Sequence, residues 1–375
     1  MKIAINATPL LSPLTGVGNY THQLVRELAR LGPENDYSYY YGFFSKRIFT
    51  VKPEGLLDGL KEFVKKIPVA GRAARHVKNS LPLLSLRSFK LYFEPNFIPL
   101  KIRAQRRVVT VHDFSFKLHP QWHPKDRIEY FEKNFWKNID SADRIVVASD
   151  FIKDEAVNRF GLPAEKIRTI PNGVNPELFR PCAYSEAAAV RKKYSLPENF
   201  ILFVGSMEPR KNLLNLLKAY ASLPAGLRRE FKFVLAGFKG WENREIMELI
   251  GRVKEDVVYL GYIPEAELGP LYNLAAFFAY PSYYEGFGFP ALEAMASGCP
   301  VVVSRAASLP EVCGDAALYV NPLDIESIAH GLRTAAEGES LRKTMRAAGL
   351  EKAGQFSWEK SARAHLELFE EAAKQ

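Results

Sequence analysis

The chain has 375 residues, 47% of them apolar and 25% charged. At roughly 150 residues per domain this predicts two domains, and the composition excludes disordered, collagen-like and disulfide-scaffold chains. The net charge of +9 is uneven, because residues 1–170 carry 28 Lys and Arg against 17 Asp and Glu, and residues 46–107 alone carry 15 against 4. Three cysteines, Cys182, Cys299 and Cys313, are odd in number and too scattered for a zinc site, so neither a disulfide framework nor structural zinc is expected and a reducing compartment fits.

In chain order, Lys2–Ala7 predicts a strand and is too short for an export segment. A glycine turn then leads to a helix over Tyr20–Leu31, with Leu24, Val25, Leu28 and Leu31 on one face and Gly32 as its stop. Strands follow at Tyr37–Phe44, Lys90–Phe93, Arg107–His112 and Arg144–Ala148, with a helix from Asp150. The basic, Leu-rich stretch 56–86 reads as short amphipathic helices broken by Pro68, Gly71 and Pro82. No run reaches the ~18 apolar residues of a spanning helix. The turn cluster Pro171-Asn172-Gly173-Val174, with Pro176 and Pro181 beyond it, predicts a hinge at 172–196. The pattern then restarts with strands at Phe200–Val204, Lys232–Ala236, Val257–Leu260, Phe277–Ala279, Val301–Val303 and Ala317–Val320, and closes on an amphipathic helix over Trp358–Ala373. This alternation predicts α/β layers with mostly parallel sheets.

Four segments carry chemistry. Thr15-Gly16-Val17-Gly18-Asn19-Tyr20 joins the first strand to the first helix, where backbone N–H groups suit a phosphate; Thr21 stands where a dinucleotide fingerprint needs its third glycine, which disfavours NAD. Gly205-Ser206-Met207-Glu208-Pro209-Arg210-Lys211-Asn212 follows a strand, and the Arg210 fork beside the compact Lys211 charge suits a diphosphate. In Glu285-Gly286-Phe287-Gly288-Phe289-Pro290-Ala291-Leu292-Glu293, two glycines let the backbone approach a ligand and Pro290 suits the first turn of a helix through Ala296. The 287–289 amides would face an anion, with Glu285 and Glu293 on either side of it. His112-Asp113 sits at a strand end of the first half. No Asp-x-Asp pair and no His/Asp/Glu cluster at ligand spacing occurs, so no metal is expected.

Together, Glu-x7-Glu from Glu285 to Glu293, the Gly-Ser-x-x-Pro-Arg-Lys-Asn turn, the Ile-Pro-Asn-Gly-Val hinge and the Thr-Gly-Val-Gly-Asn-Tyr loop resemble glycosyltransferase family four, retaining enzymes of the GT-B fold. The wording is most similar to the mannosyltransferase B-like subgroup. The resemblance implies two Rossmann-like domains facing a cleft: 1–185 for the acceptor and 186–355 for the nucleotide sugar, with 356–375 packing back on the first. It implies that Lys211 and Arg210 neutralise the donor diphosphate, that the 286–289 amides bind its oxygens or the sugar hydroxyls, and that Glu293 holds the ribose. Glu285 would sit at the transferred sugar, with His112 opposite as the second catalytic residue. Gly16, Gly18, Gly205 and Ser206 would line the donor site and Tyr262 its base pocket. At Ser206 the chain departs from the family, many of whose members carry an arginine there.

The expected activity is transfer of a hexose, mannose from GDP-mannose, to a glycan or lipid-linked acceptor in bacterial envelope polysaccharide synthesis, with no cofactor. The alternatives are a nucleotide-sugar epimerase or glycan phosphorylase of the same fold, and a hinged two-domain solute-binding protein. A cytoplasmic location is expected. The basic excess reads as a solvated face, an anionic membrane surface on the inner leaflet or a polyanionic acceptor site, and nucleic acid is not an expected partner.

Overall fold

The computed structural model describes residues 1–11, 16–50, 87–238 and 244–374. The helices expected over 56–86 lie outside the described residues, as do 7 of the 15 Lys and Arg of 46–107.

Two sheets form from the apolar strand segments. The first holds β1 (Lys2–Asn6), β2 (Asp36–Tyr40), β3 (Phe44–Ser45), β4 (Phe89–Glu94), β5 (Ala104–Thr110), β6 (Arg144–Val147) and β7 (Ile167–Thr169) in the order β3-β2-β1-β4-β5-β6-β7. The second holds β8 (Phe200–Val204), β9 (Lys232–Ala236), β10 (Val257–Gly261), β11 (Phe277–Tyr280), β12 (Val301–Ser304) and β13 (Ala317–Val320) in the order β10-β9-β8-β11-β12-β13. Every pairing is parallel except β2 with β3. Strand order reverses beside β1 in one sheet and beside β8 in the other, which opens a crevice at the carboxyl ends of β1 and β4 and of β8 and β11.

Three expectations change. The strand expected over Tyr37–Phe44 is two, because Gly42 turns the chain and β3 returns antiparallel to β2. The edge strand β7, three residues long, is too short to show alternation in the sequence. The first helix runs over Gly16–Leu31, so Gly16 and Gly18 form its first turn instead of a loop before it.

Leu24, Val25 and Leu28 of that helix are buried on Ile3, Ile5, Leu91 and Phe93. The same cluster takes Trp358, Ala362, Leu368, Phe369 and Ala372 from the last helix, Trp358–Lys374. This apolar stripe draws the chain's end back across to the first sheet, and each large side chain it buries contributes about 1.5–3 kcal/mol. The chain crosses between the sheets twice, and the crossings touch where Val174 bridges Ser357.

Candidate active site

After β8 the chain enters a short 3-10 turn, Pro209–Lys211, which opens on a proline whose fixed φ suits that position. Asn212 takes the left-handed conformation at φ 57, and its side-chain amide donates to the carbonyls of Pro281 at 2.9 Å and Pro322 at 2.7 Å. This pins the turn against the loop after β11. Arg210 and Lys211 thereby project into a cleft of about 580 Å³ between the two sheets, a size suited to a small-molecule ligand.

Both cations close on Glu285. Lys211 Nζ donates to Glu285 Oε1 at 2.7 Å, and Arg210 donates to Oε2 at 2.7 Å and to the Tyr284 carbonyl at 3.2 Å. The Tyr280 hydroxyl donates to Oε1 at 2.8 Å and accepts from Lys211. Glu285 is 5% exposed and Lys211 8%. Burial alone would raise the Glu285 carboxyl, but the Arg210 and then the Lys211 charge overcome it and hold the group at about 2. Lys211 is pushed below the usual lysine range, by burial first and by the neighbouring guanidinium second. The expected free cationic clamp is therefore an ion-paired one. A carboxylate offers about four lone-pair sites, of which three are filled, so one on Oε2 is left for a ligand hydroxyl. Lys211 likewise retains one N–H, and Arg210 retains others, so both can bridge Glu285 and an incoming anion together.

The loop beyond Glu285 is tied down by its carbonyls. Ser308 Oγ donates to those of Glu285 and Phe287, both at 2.9 Å, and Ser149 Oγ donates across from the first sheet to that of Gly286 at 2.8 Å. In a trans peptide each N–H points opposite the preceding carbonyl, so the amides of Gly286, Phe287 and Gly288 turn away from these serines. Among the described residues those three N–H groups find no acceptor. Gly288, at φ 105, makes the left-handed turn into the helix Phe289–Ala296. Gly286 packs on the His112 carbonyl, where a Cβ would lie 2.0 Å from that oxygen. The half-buried His112 ring gives Nε2 to the Pro95 carbonyl at 2.8 Å, and burial keeps it below the usual histidine range. The neutral ring therefore carries its lone pair on Nδ1.

Farther along, Glu293 accepts from the Tyr272 hydroxyl at 3.4 Å, and burial followed by the charge of Glu265 pushes it up to about 8. Glu265 accepts from Asn19 of the first helix at 3.0 Å, a contact between the two halves. At the cleft mouth the Phe238 and Tyr262 rings stack with centroids 4.6 Å apart.

Of the residues singled out from the sequence, Gly16, His112, Gly205, Ser206, Arg210, Lys211, Tyr262, Glu285, Gly286, Phe287, Gly288, Phe289 and Glu293 share this one cleft, whereas Gly18 is buried in the first turn of its helix and does not line it. Sequence reasoning missed Tyr280, Ser149, Ser308, Glu265 and Asn19, whose roles come from contacts across long separations. Only the tyrosine's place at the end of β11, five residues before Glu285, could have flagged it.

The pattern described as Glycosyl transferases group 1 matches residues 187–352, and that of Glycosyltransferase Family 4 matches 14–178. The chain is 38% identical to the O-antigen chain mannosyltransferase B of Escherichia coli over 96% of this chain and 97% of that relative. It is 31% identical to the serotype-specific mannosyltransferase WbdA of Escherichia coli over 72% of this chain and 34% of that longer protein. Among solved structures, sucrose-phosphate synthase from Thermosynechococcus elongatus is similar with a TM-score of 0.71 at 23% identity, covering 99% of this chain and 98% of that one. Anabaena HepE in complex with UDP-glucose reaches 0.70 at 18% identity, covering 99% and 100%. The overall chain path is that of these proteins.

Proposed function

The chain belongs to glycosyltransferase family 4 and has the two-domain GT-B fold, and from that premise we propose that it moves mannose from GDP-mannose to a glycan or lipid-linked acceptor, with retention of configuration and without a metal ion. The observation that carries the reading is the Arg210–Glu285–Lys211 cluster beside the outward amides of 286–288. The relatives named as mannosyltransferases support the sugar. A thermal-shift comparison of GDP, UDP and ADP tests the base: GDP is expected to stabilise most, by ~2.7 kcal/mol at a hundredfold over Kd. A larger shift with UDP would overturn the guanine assignment.

In this mechanism the leaving diphosphate meets Lys211, Arg210 and the loop amides, fixed donors set out before charge develops. Excess EDTA is therefore expected to leave transfer intact. With three of the four Glu285 lone-pair sites engaged by the cations and Tyr280, this carboxylate orients the sugar and balances its developing positive charge, and it does not attack. The acceptor hydroxyl enters on the face that the diphosphate leaves and passes its proton to the departing phosphate oxygen, which gives retention. An inverted product anomer by NMR would refute this.

Lys211→Ala removes a charge-assisted contact and is expected to cost roughly 1.5–3 kcal/mol of GDP binding by calorimetry. Lys218, which pairs with Glu245 on an exposed helix face, is the control. Equal affinity in wild type and Lys211→Ala would remove Lys211 from the donor site.

Glu293 supplies a proton-linked signature. At neutral pH its raised carboxyl holds a proton, while ribose hydroxyls favour the ionised acceptor, so nucleotide binding releases that proton. GDP affinity should rise from about pH 6 to about pH 8 and then level. The binding heat at pH 7 should follow the buffer's ionisation enthalpy. Both dependences are expected to vanish in Glu293→Gln; a flat wild-type profile would separate Glu293 from the ribose.

We assign the enzyme to the cytoplasmic face of a bacterial membrane in envelope polysaccharide synthesis, held there by the basic excess of 46–107. No helix among the described residues is long and apolar enough to cross a membrane.

A further inference from the structure

Beside Arg210 the cleft wall includes His123, a residue the donor chemistry leaves unused. It follows the short turn Pro120–Trp122 and precedes the helix Lys125–Ile139. The turn is clamped to the second half of the molecule. Trp122 stacks on His119 at 3.8 Å and on Tyr283 at 6.0 Å, with interplanar angles of 18° and 14°. Tyr283 in turn donates its backbone N–H to the Arg210 carbonyl at 3.0 Å. His123 is thus held against the loop that carries Glu285.

Its ring is set by a directed chain. Ser115 donates both its backbone N–H, at 2.9 Å, and its hydroxyl, at 2.7 Å, to Asp113 Oδ1. A carboxylate only accepts, so the serine proton is committed there and its oxygen faces the imidazole with a lone pair. His123 Nε2, 2.9 Å away, must then be the donor. In the neutral ring the lone pair falls on Nδ1, and that atom is shielded from solvent with no hydrogen-bond partner among the described residues. Burial first, and the Arg127 charge second, keep the ring below the usual histidine range, with Asp113, Arg210 and Glu208 the other charges that act on it. An unpaired acceptor in a side chain that lines the cleft is costly unless a donor meets it.

We propose that this arm of the cleft is the acceptor subsite, and that His123 Nδ1 accepts a hydrogen bond from a hydroxyl of the acceptor sugar, holding it beside the Arg210–Glu285 cluster. The inference rests on the reading of the cleft as a nucleotide-sugar site. His123 is a substrate-binding residue in this account, and no proton of the transfer step passes through it.

The test uses the full chain and an octyl-linked mannose disaccharide as probe. His123→Ala is expected to weaken probe binding by calorimetry, and raise its KM, about tenfold, the size of one lost hydrogen bond. GDP affinity should change less than twofold. His123→Asn, whose side-chain oxygen can occupy the Nδ1 position, should recover most of the loss, which a merely structural histidine would not allow. In a series of monodeoxy probes, one analogue should bind wild type about tenfold more weakly yet bind His123→Ala no worse than the parent probe does. Unchanged probe binding in His123→Ala, or an equal loss of GDP affinity, would overturn the proposal. If GDP fails to bind the wild type while probe binding still falls in His123→Ala, the donor reading fails and the acceptor subsite stands.

Discussion

Glu285→Gln is expected to lower kcat on the order of a hundredfold while GDP affinity is kept or raised. The carboxylate is the shared anion of Lys211 and Arg210, each 2.7 Å away. A glutamine amide keeps the shape but removes the charge that faces the developing positive centre of the sugar, and losses of that size are typical of one electrostatic contact made in the transition state. The freed cations turn wholly to the diphosphate, so binding does not suffer. Stability does: the buried Lys211 and the half-buried Arg210 lose their shared partner, at a cost of about 3 kcal/mol. The pH dependence carries the sign. Because the folded value of Glu285 lies at about 2, below the unfolded value, its contribution is complete above the ordinary carboxylate range. It is lost as pH falls toward 2. Thermal unfolding followed over that window should therefore show wild type and variant converging in acid, and GDP should raise the variant's Tm more than that of wild type. Near-normal turnover in Glu285→Gln would return this residue to a purely structural role.

Gly286→Ala is expected to cost at least as much activity. The added Cβ would lie 2.0 Å from the His112 carbonyl oxygen and 3.1 Å from Asp113 Cβ. Both are on the first half of the molecule, and the nearer atom is backbone, which cannot swing aside. Either the 285–288 loop lifts from Ser149 and Ser308 or the two sheets move apart, and both displace the loop amides from the cations. Misplacement of about 1 Å can cost a hundredfold in rate. Gly16→Ala is the contrast, since among the described residues a Cβ there meets nothing within 4 Å. Its stability should match wild type, and any lost donor affinity would report the approach of a ligand. Wild-type kcat in Gly286→Ala would show that the close packing on His112 is dispensable.

The alternation of apolar runs and turns was enough to place most strands and the amphipathic last helix, because these are local properties with periods of a few residues. It was also enough to gather residues that share one cleft, since Gly205 to Lys211 and Glu285 to Glu293 each follow a strand, and parallel sheets bring strand ends together. What local pattern cannot carry is pairing across distance. Lys211 and Arg210 read as a free clamp until Glu285, some 74 and 75 residues on, is seen to neutralise both. Glu293 reads as one of two carboxylates flanking an anion site until burial and Glu265 are seen to raise it. Gly18 reads as part of a phosphate loop until the helix is seen to begin at Gly16 and take it into the core. His123 reads as one histidine among seven. Its tautomer is fixed only by Ser115 and Asp113, and its place by the stack of Trp122 on Tyr283, contacts that exist once both halves have folded against each other.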